Sequence, residues 1–229
     1  LVESSAGKRL LASFGRRRGR RLRPTKQGLF DTLLPKLTLA LPESGTLDLH
    51  ALFPKQTEYW LEIGFGGGEH LAHQASLSPQ AGIIGCEPYI NGIADLLKHI
   101  NDHQIPNISI FQDDARLLMD TLPDASLSRV FILYPDPWPK IRHHKRRLVS
   151  TELLNTLARI MQSGAQLRLA TDHSDYCTWM LERLLTHPAF TWTAKDCNDW
   201  LSPWSDWIST RYEQKALAGR PTYLTFTRT

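Results

Sequence analysis

The chain has 229 residues, 41% of them hydrophobic and 22% charged, proportions that suit a folded chain with one sizeable core and argue against wholesale disorder. No stretch approaches the ~18 consecutive apolar residues of a membrane span, and three cysteines with no CxxC spacing argue against a disulfide scaffold or a cysteine zinc site and for a reducing compartment. The net charge of +4 is unevenly shared: residues 1–28 hold nine basic side chains against one acid, leaving a mildly acidic remainder.

Residues 1–24 are basic, contain glycine and lack an apolar period, which predicts a flexible arm, ordered by a partner, ahead of a single domain over 25–229. The first residue is Leu1 rather than Met, so further sequence is expected before it, and no apolar region of the signal-peptide kind is present. With Thr25 as N-cap, Leu29, Leu33, Leu34 and Leu37 fall at helical spacing, and Pro35 is expected to bend or end that helix. Residues 42–57 read as a loop.

An alternation then begins. Strands are predicted at 58–63, 82–86, 107–111, 127–133, 166–170 and 222–228. Helices are predicted at 69–77, around Ile93, Leu96, Leu97 and Ile100, and at 115–122, 148–161 and 173–186. Trp200, Trp204 and Trp207, at spacings of four and three, form one helical stripe that reads as packing. Strands separated by helices mean crossover connections, hence an α/β fold with a mostly parallel sheet and helices on both faces.

Ligands of such sheets bind beyond the carboxyl ends of the strands. Three ends here carry acids: Glu62 before Gly64-Phe-Gly-Gly-Gly68, Glu87 after the second strand, and Asp113-Asp114 after the third. Gly64 and Gly66 let a ligand approach the backbone, and the helix after them presents its amides. Glu87, 23 residues after Gly64, suits the hydroxyls of a ribose. A nicotinamide dinucleotide would call for glycine at position 69, but Glu69 stands there and repels a pyrophosphate. A cationic donor without phosphates, such as S-adenosylmethionine, fits better, with Asp114 accepting from the adenine amino group.

After the fourth strand, Pro135-Asp136-Pro137-Trp138-Pro139-Lys140 is stiffened by alternate prolines, so that Asp136 and Trp138 can hold a planar nucleophile. The following run, with Arg142, His143, His144, Lys145, Arg146 and Arg147, points to phosphate contact. No ligand set for a metal completes the His143-His144 pair. Asp172 ends the fifth strand, and the polar segment Thr210-Arg211-Tyr212-Glu213 can fold back over the active edge of the sheet.

These residues resemble the bacterial tRNA (guanine-N7-)-methyltransferases over nearly the whole chain. The carriers are SFGRRRGRRLRP at 13–24, EIGFGGG at 62–68, GCEP at 85–88, DDA at 113–115, PDPWPKIRHHKRR at 135–147, TD at 171–172 and TRYE at 210–213. The resemblance implies a class I, Rossmann-like methyltransferase with a mostly parallel seven-stranded sheet. It implies that Glu62, Glu87, Asp114 and Asp136 surround S-adenosylmethionine, with Asp136 catalytic, and that Lys140, Asp172, Thr210, Arg211, Tyr212 and Glu213 lie at the substrate guanine. The run from Arg142 to Arg147 would meet RNA. The implied target is position 46 in the tRNA variable loop, in the cytoplasm, by a monomer or homodimer with no membrane partner. The competing expectations are a methyltransferase acting on another RNA or a small molecule, and a non-catalytic tRNA-binding protein.

Overall fold

The computed structural model describes residues 15–214 and 219–229. The expectations for residues 1–14, including the first two motif residues Ser13 and Phe14, lie outside the described residues. In chain order the helices are α1 (Pro24–Thr32), α2 (Leu34–Leu37), α3 (Leu49–Leu52), α4 (Glu69–Leu77), α5 (Ile90–His103), α6 (Ala115–Met119), α7 (Thr151–Ile160), α8 (Ser174–Thr186), α9 (Asn198–Leu201) and α10 (Arg211–Gln214). The strands are β1 (Glu58–Ile63), β2 (Ala81–Cys86), β3 (Ile108–Phe111), β4 (Leu127–Leu133), β5 (Met161–Thr171), β6 (Phe190–Trp192) and β7 (Thr222–Arg228).

The seven strands form one sheet in the order β3-β2-β1-β4-β5-β7-β6. The first five run parallel, and β7 lies antiparallel between β5 and β6. Strand order reverses at β1 and β4, so the crevice of a doubly wound sheet opens beyond their carboxyl ends. Side-chain alternation sends successive residues to opposite faces. Trp60 packs with Phe131, Tyr223 and the α4 and α5 side chains Leu71, Ile93 and Leu97. Leu61 and Ile63 pack on the other face with Leu154 and Leu157 of α7 and Met180 of α8.

Where the boundaries depart from the sequence expectations, the cause is local. Arg23 rather than Thr25 is the N-cap of α1, which begins at Pro24, because proline at N1 forfeits no helical bond. The break ahead of Pro35 falls at Leu33. Strand β5 begins directly after α7, five residues early, through a register shift opposite β4. The three-residue β6 (the seventh strand that the resemblance implies) is too short to carry a period of its own. The tryptophan stripe does not form one helix: α9 ends at Leu201, and Ser202 ahead of Pro203 is extended (φ −112°, ψ 143°), as the residue before a proline prefers. The packing reading holds by another route. Trp200 sits against one core cluster, while Trp204 and Trp207 pack on the opposite face. No helix of the described residues is long and apolar enough to cross a membrane.

Candidate active site

The loop between β1 and α4 needs glycine for two separate reasons. Gly64, Gly66 and Gly68 have φ of 76°, 56° and 78°, a region costly for residues with a Cβ. Crowding adds a second demand, since a Cβ on Gly68 would stand 2.6 Å from Leu96 Cβ, and one on Gly92 of α5 would stand 2.1 Å from the Gly66 carbonyl oxygen. Helix α5 therefore rests directly on the glycine loop. A Cβ on Gly64 or Gly66 would meet nothing within 4 Å, and both residues line a cleft of about 1030 Å³.

Glu87 ties this loop to the end of β2, accepting from the Gly66 amide at 2.9 Å and from the Tyr89 amide at 3.0 Å. Burial pushes its carboxyl above the ordinary range, and the charges of Asp136 and Glu62 push the same way; the two amide bonds only partly offset this. Glu62 is buried, with Oε2 2.7 Å from His70 Nδ1. Asp114 caps α6 and receives Arg116 Nε at 2.9 Å and Nη2 at 2.6 Å. Burial opposes its charge, but the bonds from Arg116 prevail and hold its pKa below the ordinary value. Asp113 pairs with Arg17 at 2.5 Å. That contact, with Ile90 N–H donating to the Arg17 carbonyl at 3.1 Å and Asn91 Nδ2 to the Arg20 carbonyl at 2.7 Å, lays residues 15–23 across the start of α5.

The loop after β4 holds two bulky residues at positive φ, Tyr134 at 48° and Trp138 at 45°, each costing about 1–3 kcal/mol. The Tyr134 amide donates to the Ala170 carbonyl at 2.8 Å, and the Arg146 guanidinium lies 4.9 Å from the Trp138 ring centre. Asp136 opens onto the cleft, and the protein around it desolvates the carboxyl enough to raise its pKa. Arg147 departs from the RNA-contact expectation. It is buried, donates to the Pro137 carbonyl at 2.8 Å, pairs with Asp175, and packs against the rings of Tyr176 and Trp179. Its guanidinium is spent on anchoring the loop, because the turn of 3-10 helix at Ile141–Arg146 carries the chain back under Pro137.

Residues 202–214 fold over the active edge. Arg211 lies 3.2 Å from Asp95 and 3.5 Å from Glu69, and the Tyr212 ring is 5.3 Å from that of Tyr134. Glu213 accepts from Trp207 Nε1 at 2.9 Å and from the Tyr223 hydroxyl.

The structure thus brings Glu62, Gly64, Gly66, Glu87, Asp114 and Asp136 to one cleft, and Thr210, Arg211 and Tyr212 to its rim together with Lys145 and Arg146. Asp172 is buried at the end of β5, behind the lining but close enough for its charge to bear on Tyr134 and Tyr212. Lys140, Arg142, His143, His144 and Glu213 stand outside the lining. The sequence reading missed His70, Gly92 and Arg116, none of which belongs to a spaced motif of its own. A second, basic groove of about 540 Å³ adjoins the cleft; Arg20, Arg21, Arg23 and Lys26 line it, and Arg16 and Arg211 border both. Among the described residues no His, Cys, Asp and Glu group forms a candidate metal site.

The donor expected from the sequence fits this cleft. Acids line it, a Cβ on Gly64 or Gly66 would meet nothing within 4 Å, and an acid, Glu69, stands at the start of α4 where a pyrophosphate would be repelled.

A family model described as "Putative methyltransferase" matches residues 56–224. The tRNA (guanine-N(7)-)-methyltransferase of Ruegeria sp. (strain TM1040) is 51% identical over 223 residues, covering 94% of this chain and 87% of that protein. The protein of the same name from Caulobacter vibrioides (strain NA1000 / CB15N) is 46% identical over 219 residues, covering 95% of each. Among solved structures, the 16S rRNA methyltransferase KamB superposes with a TM-score of 0.57 at 16% identity, over 81% of this chain and 95% of its own. The 16S rRNA (adenine(1408)-N(1))-methyltransferase from Catenulisporales acidiphilia gives 0.51 at 14% identity, over 83% and 98%. At those identities the structures speak for the fold alone.

Proposed function

The chain belongs to the tRNA (guanine-N(7)-)-methyltransferase family, and from that premise we propose that it methylates N7 of guanine 46 in the variable loop of tRNA, in the cytoplasm, using S-adenosylmethionine. The observation that carries the reading is the convergence of Glu62, Glu87, Asp114 and Asp136 on a glycine-floored cleft beside a groove lined by arginines. S-adenosylmethionine, when bound, supplies an electrophilic methyl group on a sulfonium.

Glu62 and Glu87 would hold the donor's ammonium and ribose, and Asp114 its adenine. Guanine N7 carries an in-plane lone pair, so the chain has no proton to remove before attack. Its task is to align the base and stabilise the positive charge that arrives on it. Asp136, opening onto the cleft on a stiffened loop, would face that developing cation. Asp172 would accept from N1–H and the exocyclic amine, which selects guanine over adenine. Tyr212 and Tyr134 would flank the base. Lys145 and Arg146 at the rim, with the arginines of the adjoining groove, would meet phosphates without reading sequence.

Incubation with labelled S-adenosylmethionine and unmodified tRNA, followed by nucleoside analysis and mapping, is expected to give 7-methylguanosine at position 46. Label at another nucleotide, or tRNA binding without transfer, would reject the reading.

The raised carboxyl of Glu87 sets a pH dependence. In the free protein burial favours its protonated form, whereas a bound cation favours the ionised one, so binding releases protons. Donor affinity should therefore rise with pH through Glu87's elevated pKa and flatten above it. Calorimetry in buffers of different ionisation enthalpy measures the release. Glu87→Gln should remove Glu87's share, leaving that of Asp136, whose pKa is raised in the same sense.

A further inference from the structure

Glu62 and His70 are each 2% exposed, and their contact at 2.7 Å joins the end of β1 to the first turn of α4. A nitrogen facing a carboxylate at that distance carries its proton, so Nδ1 is the donor. The opposite ring nitrogen, Nε2, is buried and has no hydrogen-bond partner among the described residues. The ring lies in an aromatic slot, 4.7 Å from Phe131 and 5.2 Å from Trp207 between ring centres. A leucine would fill that slot without burying an orphaned polar atom, so packing does not account for an imidazole here. Donation from Nδ1 does.

We propose that His70 is a positioning residue for Glu62: its Nδ1–H fixes one carboxylate oxygen, Oε2, and thereby presents the other, Oε1, to the ammonium group of the methyl donor. The inference rests on the reading of the cleft as an S-adenosylmethionine site. Without a donor beside it, a carboxylate this deeply buried leaves an oxygen without a hydrogen bond and is free to turn away from the ligand. The ammonium lies far from the methyl group being transferred, so its contact is equally strong before and during transfer. Losing such a contact raises KM and spares kcat.

The test compares three variants of the full chain. In His70→Leu the aromatic slot stays filled and the donor is lost. In His70→Asn an amide N–H replaces Nδ1 at nearly the same place. In His70→Gln the amide moves one bond further out, toward the position of Nε2. His70→Leu and His70→Gln are expected to raise KM for S-adenosylmethionine about 10- to 100-fold, with kcat within about threefold of wild type and tRNA affinity unchanged. His70→Asn is expected to stay within about threefold of wild type on all three. A KM for His70→Leu or His70→Gln equal to that of wild type would overturn the role. So would His70→Asn failing as badly as the other two, or kcat and tRNA affinity falling together with donor affinity. Calorimetry on the wild-type protein separates the two levels: no donor binding there overturns the reading of the cleft, whereas normal binding there and in all variants overturns only the part given to His70.

Discussion

Asp136→Ala and Asp136→Asn are expected to slow single-turnover methylation of tRNA by about 30- to 1000-fold at saturating S-adenosylmethionine, with the affinity for tRNA changed far less. The range corresponds to about 2–4 kcal/mol for a desolvated charge facing charge that develops during the reaction. Asn keeps the shape and removes only the charge, so similar losses in the two variants identify electrostatics as the cause. The loop around Asp136 is held independently of the carboxylate, by the Tyr134 amide on Ala170 and by Arg147 on Pro137, so neither variant should move it. Asp172→Ala is expected to cost about 10- to 100-fold by the same logic, through the base edge rather than N7. Unchanged single-turnover rates in both Asp136 variants would remove this residue from the chemistry.

Gly92→Ala should damage the site from the far side of the glycine loop. The new Cβ would lie 2.1 Å from the carbonyl oxygen of Gly66, a backbone atom of the loop whose own amide holds Glu87. Either α5 or the loop must move, at a cost of about 1–3 kcal/mol in stability, and the loop movement carries Glu87 with it. Donor affinity measured by calorimetry is expected to fall by about 30-fold or more. Gly28→Ala is the control, since its Cβ would meet nothing within 4 Å at an exposed position of α1. That change should raise stability by up to about 1 kcal/mol and leave donor binding alone. Wild-type donor affinity in Gly92→Ala would show that the contact between α5 and the loop is not what shapes the cleft.

The parts of this protein legible in its sequence are those set by neighbours along the chain. Apolar runs of five to seven residues alternating with helical periods gave strands and crossovers, and from them a parallel sheet. Glycines at 64, 66 and 68 marked backbone that must turn sharply, and acids at successive strand ends marked the cleft. The alternating prolines at 135, 137 and 139 showed a stiff loop holding Asp136. Basic residues showed where charge accumulates, but charge alone does not say which way a side chain points. Arg147 belongs to the same run as Arg146, yet the guanidinium of the first turns inward to Asp175 and the Pro137 carbonyl while that of the second lies against the Trp138 ring.

What only the tertiary structure decided depends on which strands and helices became neighbours. The pairing of His70 with Glu62, the seating of Gly92 on Gly66 and the folding of Trp204 and Trp207 onto the sheet follow from the order β3-β2-β1-β4-β5-β7-β6 and the helices laid on it. The sequence by itself determined the elements, the glycine loop, the acids at the strand ends and the balance of charge, because propensity, periodicity and turn chemistry act over a few residues. Which of those groups touch was decided by burial: satisfying a polar group or filling a slot beside a residue distant in sequence is an energetic term that appears only once the sheet has formed.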